Sequence, residues 1–205
     1  MIAEMDSVLI LVTGIPGVGK STLGRQIASA FNIMYIDYDT VCQPFLTEIW
    51  QRQESPDTYA QFCLDWREAS YGTFWNPLLE NFSLGRHAVA SAPLSKERAN
   101  PTFFTEFRER TASRFSVLNV HLEASKEFVM ERLIERGEQR DLEKIDNWDE
   151  FHALYHQIPL AWDVDRIVHI TMTAGIQPFN LVEPILKDFL DIQATAPVKH
   201  EKSKN

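Results

Sequence analysis

The chain has 205 residues, with 29 acidic side chains against 20 basic ones and a formal net charge of −9. Hydrophobic residues make up 44% and aromatics 11%, which excludes a disordered polypeptide; one domain of this length buries roughly 70% of its unfolded surface. The acidic balance disfavours a nucleic-acid partner, and two cysteines, Cys42 and Cys63, are too few for a disulfide framework or a cysteine-rich zinc site.

The first element is the apolar, β-rich run Ser7 to Thr13, of the length of a buried parallel strand. Four of the eight glycines (Gly14, Gly17, Gly19 and Gly24) then fall within eleven residues. A helix is predicted over Ser21–Phe31, with Leu23, Ile27, Ala30 and Phe31 on one face. Ile33–Ile36 is a second strand, so the opening forms a βαβ unit. Residues 41–83 read as helical, broken at Ser55-Pro56-Asp57 and rich in aromatics. Strands follow at His87–Ala92 and Phe115–Leu122, then a helix over 125–136 and a polar segment over 137–148. A short helix at Glu150–Gln157 and a fifth strand at Arg166–Ile170 precede a helix opened by Pro178. Pro184 lies inside that last pattern, so the helix is kinked or begins later. Lysines make the tail from about Ala194 basic, and it is expected to be disordered; without residues 195–205 the body carries −11. No run reaches the ~18 apolar residues of a membrane span. The start, Met1 to Asp6, is acidic, unlike the positive end of a signal peptide. The expected protein is cytoplasmic, a monomer or weak dimer, with no membrane partner.

Gly14-Ile-Pro-Gly-Val-Gly-Lys20-Ser21 fits the Walker A pattern, and it stands between a strand and a helix as that pattern requires. Phosphate chemistry explains these residue types. Glycines let backbone N–H groups turn inward around an anion, and the helix adds its positive N-terminal end. Gly14, Gly17, Val18, Gly19, Lys20, Ser21 and Thr22 are therefore candidate ATP-binding residues. Lys20 would reach the β- and γ-phosphates, and the Ser21 hydroxyl would ligate Mg²⁺. The fold class implied is α/β: a P-loop NTPase three-layer α/β/α sandwich with a five-stranded, mainly parallel sheet.

With this loop in place the chain resembles the shikimate kinase-like and gluconate kinase-like branch of the P-loop kinases, within the nucleoside monophosphate kinase group of AAA-type ATP-binding proteins. The resemblance spans about residues 7–190, and residues 1–193 are expected to form one kinase domain. Tyr35-Ile-Asp37-Tyr-Asp39 looks like the family's aromatic-x-Asp-x-Asp element. The resemblance implies that Asp37 lies near Mg²⁺ and the attacking hydroxyl and that Asp39 contacts the acceptor. On an extended chain the two carboxylates would share a face at the carboxyl edge of the sheet, where such sheets bind ligands. Two solvated loop aspartates are the alternative.

Trp66-Arg67-Glu68 sits where the family places a substrate-binding arginine, in the helical acceptor-binding insertion, 41–83. Shikimate kinases show Phe-Arg-x-x-Glu, whereas Trp66 and Ser70 stand here. At helical spacing Arg67 meets Cys63, Leu64, Ser70 and Tyr71, none acidic; a surface ion pair is the alternative. Arg132, Arg136 and Arg140 recur at four-residue intervals and resemble the family's lid, assigned to 137–148. Arg136 has no acidic partner at helical spacing. The resemblance implies Arg136 near the nucleotide and Arg140 on the transferring phosphoryl group, unless Gly137 ends the helix. The family's adenine loop corresponds to Thr171–Ile176.

Other features read as structural. His152 and His156 lack the adjacent glutamate of a zinc protease, His87, His121 and His169 read as packing residues, and both cysteines as buried thiols. The aromatics over 50–75 read as packing or as an acceptor-pocket wall. The activity expected is ATP- and Mg²⁺-dependent transfer of the γ-phosphoryl group to a hydroxyl of a small polar metabolite, with Lys20, Asp37 and Arg140 catalytic. An ATP-binding switch protein, or a nucleotide or polynucleotide kinase, is the alternative.

Overall fold

Ser7–Gly14 is buried along its whole length and forms β1, the central strand of the sheet. A strand covered on both faces has no polar side, which is why Val8 to Val12 run without a polar residue. In this computed structural model residues 7–53, 58–137 and 139–195 are described, without the side chains of residues 60, 139, 140, 143 and 192–195. The other strands are β2 (Met34–Asp37), β3 (Ala88–Ser91), β4 (Phe115–Ala124) and β5 (Arg166–Met172). Their order is β2-β3-β1-β4-β5, and every pairing is parallel. The register sets Asp37 opposite Ser91 and Gly14 opposite Leu122, so all four lie toward one edge of the sheet.

The helices in chain order are α1 (Lys20–Phe31), α2 (Tyr38–Gln51), α3 (Tyr59–Asp65), α4 (Arg67–Ser83), α5 (Phe103–Thr111), α6 (Lys126–Arg136), α7 (Gln139–Asp146), α8 (Trp148–Gln157) and α9 (Pro178–Thr195). They form two layers. Val8, Ile10 and Val12 point into one core with Leu23 and Ile27 of α1, Val129 and Leu133 of α6, and residues of α8 and α9. Leu9 and Leu11 point into the other, shared with α2 to α5. The side-chain period of 2 along β1 thus divides the domain into two cores. The expected three-layer α/β/α sandwich is the observed one.

Several elements differ from expectation. Residues 97–111, assigned no element, carry a 3₁₀ turn at Glu97–Ala99 and then α5. The signal for α5 is not local: the Asp163 carboxylate accepts from Phe104 N at 2.7 Å and Thr105 N at 2.6 Å across almost sixty residues. Once docked, Phe107 packs on Trp75 with ring centroids 4.9 Å apart. The polar stretch 137–148 contains α7, which folds despite its composition. α9 begins at Pro178 and runs through Pro184, with Val182, Leu186 and Phe189 buried. Of the tail expected from Ala194, α9 includes Ala194 and Thr195, and residues 196–205 lie outside the described residues.

Candidate active site

The loop between β1 and α1 opens a cleft of about 1640 Å³ at the carboxyl edge of the sheet. Gly14, Gly17 and Gly19 all take positive φ. At Gly14 no other residue fits, because a Cβ would lie 2.4 Å from the Leu122 carbonyl oxygen. Gly17, Gly19, Lys20, Ser21 and Thr22 line the cleft. Gly14 and Val18 are not among its lining residues: Gly14 turns the chain, and Val18 is wholly buried with its N–H 3.3 Å from the Ile15 carbonyl oxygen. The Val18 side chain anchors the loop in the core.

Lys20 folds over the loop, its Nζ donating to the Ile15 carbonyl at 3.0 Å. Burial pushes its pKa down to about 8. Asp39 and Asp37 oppose that shift, whereas Arg136 and Lys144 add to it. Lys20, Arg136 and Lys144 all line the cleft beside the N-terminus of α1. This donor set fits a polyphosphate.

Asp37 ends β2 and caps α2, accepting from Thr40 N at 3.1 Å through Oδ1. Its Oδ2 accepts from Ser21 Oγ at 2.8 Å. The two residues expected to serve Mg²⁺ are thus in contact, one hydroxyl against one carboxylate oxygen, a pair that fits a hard cation. The Tyr35 hydroxyl lies 3.1 Å from both Asp37 Oδ2 and Ser91 Oγ, and burial pushes its pKa up to about 12. Gly24 makes room for this ring: a Cβ there would lie 2.5 Å from Tyr35 Cε2.

Asp39 does not share an extended face with Asp37. It falls in the first turn of α2, where residues two apart point roughly 200° from each other. Both still line the cleft. Arg67 also lines it, but it is already paired: its Nη2 donates to Glu97 at 2.6 Å, and its guanidinium lies 4.2 Å over the Tyr71 ring. The partner comes from a segment 30 residues away, beyond the reach of any helical-spacing test.

The arginine row is broken. Gly137, with φ of 63°, caps α6 in the left-handed region, and α7 starts a new helix axis, so Arg132, Arg136 and Arg140 do not stand at successive turns. Arg136 has an acidic partner after all: its Nε donates to Asp141 Oδ2 at 2.9 Å. Lys144 Nζ donates to Asp141 Oδ1 at 3.0 Å. Burial pushes the Asp141 carboxyl up, but hydrogen bonds from Arg136 and Lys144 outweigh this and hold it below its ordinary value. Arg136 and Lys144 line the cleft. The side chain of Arg140 lies outside the described residues.

A protein-family profile described as "AAA domain" matches residues 10–151, a span that includes the phosphate loop, Asp37 and Arg136. The chain belongs to this family. No curated protein matches it in sequence. Among solved structures, this AAA domain is similar to a protein designated a candidate kinase from Chloroflexus aurantiacus j-10-fl. That match has 15% identity and a TM-score of 0.64, covering 89% of this chain and 98% of the other. It is also similar to a sugar kinase from Janibacter sp. HTCC2649, at 17% identity and a TM-score of 0.57 over 93% and 99% of the two chains. A shikimate kinase from Bacteroides thetaiotaomicron aligns at 21% identity and a TM-score of 0.49, over 90% and 98%. The AAA domain thus has the P-loop α/β fold expected of it.

Four site residues of the AAA domain escaped the sequence reading: Tyr35 as a hydroxyl partner, Ser91, Glu97 and Lys144. Lys144 had a signal, since Asp141 and Lys144 stand three apart, the spacing of a helical ion pair. Cys63, read as buried, is half-buried and lines the cleft. Tyr59 and Tyr71 line it too, while Phe74 and Trp75 of the same aromatic stretch are core. His121 is more than packing: with Asn119 it closes a buried network on Thr13, each contact 2.9 Å. Burial, then Arg98, pushes its pKa down to about 4, so it is neutral at pH 7. Thr171–Ile176 contributes no lining residue to the cleft.

Proposed function

We propose that the protein is an ATP-dependent phosphotransferase whose acceptor is a hydroxyl group of a small molecule. One observation carries the reading: a single cleft joins the phosphate loop, the Ser21–Asp37 contact at 2.8 Å, and a polar and aromatic wall from α2, α3 and α4. A switch protein needs the first of these and has no use for the third.

In this reading the loop N–H groups and Lys20 hold the β- and γ-phosphates. Lys144 approaches from the lid formed by 137–148 and Arg136 from the end of α6 before it, both steadied by Asp141, and Arg140 serves the transferring group. Mg²⁺ held by Ser21 and Asp37 would offset charge on the phosphate oxygens. The acceptor hydroxyl oxygen bonds to the γ-phosphorus as the bond from that phosphorus to the bridging oxygen breaks, ADP leaves, and the hydroxyl proton passes to a nearby carboxylate. Asp37 already accepts hydrogen bonds on both oxygens, which suits it to orient groups. Asp39 and Arg67 position the acceptor, and residues 41–83 form its insertion.

The test is an acceptor screen with ATP and Mg²⁺, read by ADP release and by mass of the product. Phosphorylation of at least one hydroxyl compound, lost in Lys20→Ala, is expected. ATP turnover that stays at the water-only rate with every acceptor overturns the reading.

A further inference from the structure

The lining of the cleft is charged unevenly. Around the phosphate loop, α1 and the helices after β4 it carries the cations Lys20, Arg25, Arg132, Arg136 and Lys144, with the carboxylates of Glu135 and Glu150 beside them. The opposite wall comes from α2, α3, α4 and the segment after β3. Among the described lining residues of that wall, Arg67 is the only cation. It does not stand alone, because Glu97 meets it at 2.6 Å, with both side chains mostly shielded from water (18% and 12% exposed). Its guanidinium face is also covered, by the Tyr71 ring at 4.2 Å. Asp37 and Asp39 add two carboxylates to the same end. The rest of the wall is neutral, with hydroxyl, amide and phenol groups from Thr40, Gln43, Thr47, Tyr38 and Tyr59.

We propose that the acceptor carries no anionic group: it is an uncharged sugar or polyol. The inference rests on the kinase reading above and adds the chemical class of the substrate. An acidic acceptor would have to share Arg67 with Glu97, setting a second carboxylate beside a shielded one, or else lie beside Asp37 and Asp39. Either course places like charges together where water screens them poorly. A polyol meets neither obstacle. Its hydroxyls exchange hydrogen bonds with the neutral wall, and its C–H faces lie against tyrosine rings. Glu97 therefore acts as a specificity residue: it disfavours acids by already neutralising the guanidinium of this wall.

The test is a set of matched pairs, D-glucose with D-gluconate and ribitol with D-ribonate, assayed with ATP and Mg²⁺ on the wild-type protein and on Glu97→Gln. In the wild type the neutral member is expected to exceed its acid by about tenfold or more in kcat/KM. Glu97→Gln is expected to shift that ratio toward the acid by about tenfold while the KM for ATP stays unchanged. An acid used as well as or better than its neutral partner overturns the inference and leaves the kinase reading standing. If no member of either pair is phosphorylated, the wider acceptor screen decides: an anionic acceptor found there overturns the inference and leaves the kinase reading standing, and turnover at the water-only rate with every acceptor overturns both. The wild-type ratio needs no variant, so misfolding of Glu97→Gln does not remove the test.

Discussion

The two ends of the cleft are made in different ways. The phosphate end is built largely from backbone and from one contiguous stretch, Gly14 to Thr22, helped by cations held on Asp141. The opposite wall is assembled from side chains of α2, α3, α4 and the segment after β3, which no short sequence window contains together. On the proposed reading the difference follows from the ligands. A polyphosphate presents the same oxygens in every such protein, so one loop geometry serves; an acceptor is particular, so its wall is written in side chains.

Four experiments break or sharpen this contrast. The largest effect is expected from Lys20→Ala, which removes the only cation inside the loop itself; kcat/KM for ATP should fall by on the order of 100-fold or more. The protein should keep its fold and its binding of acceptor. A variant that loses both substrates equally would erase the distinction between the ends. Next comes Gly24→Ala. Its Cβ would press on Tyr35 Cε2 at 2.5 Å and on Ser91 Oγ at 2.8 Å, so denaturant unfolding should show a loss of about 1–3 kcal/mol. Unchanged stability would mean that the Tyr35 ring is not held where it stands.

The third measurement is pH. Lys20 titrates near 8 rather than at its ordinary 10.5, and bound phosphate raises that value again. Below pH 8 the ammonium is charged with or without ligand, so affinity is flat. Above it the free protein loses the charge that the complex keeps. ATP affinity should then fall by up to about tenfold per pH unit. Affinity that stays level from pH 8 to 10 contradicts this. The smallest effect belongs to the other wall. Tyr71→Phe deletes the oxygen that accepts from Leu94 N at 3.2 Å, and Leu94 is fully buried with φ of 47°. A loss of about 1 kcal/mol in stability is expected, with a raised KM for acceptor and an unchanged KM for ATP.

Legibility in the sequence divides along the same line. The strand, loop and helix from Ser7 to Phe31 could be read because their signals are local: an apolar run, a glycine pattern, a 3.6-residue period. The Asp37 position was legible for the same reason, as the end of a short strand. What escaped reading depends on distant partners. Glu97 neutralises Arg67 from 30 residues away, Asp163 caps α5, and Asp141, beyond the Gly137 cap, pairs with Arg136, a partner that helical spacing does not offer. Asp39 was misplaced by one element boundary, since a strand ending at Asp37 turns the next two residues into a helix.

The alternation along β1 has a consequence for how such a protein can change. Odd positions, Leu9 and Leu11, belong to the layer that carries the proposed acceptor wall, and even positions, Val8, Ile10 and Val12, to the layer behind the phosphate loop. One strand thus insulates two workshops from each other while being a wall of both. On the proposed reading, side chains of α2 to α4 that face the cleft would be open to change for a new substrate with the packing behind the loop left as it is.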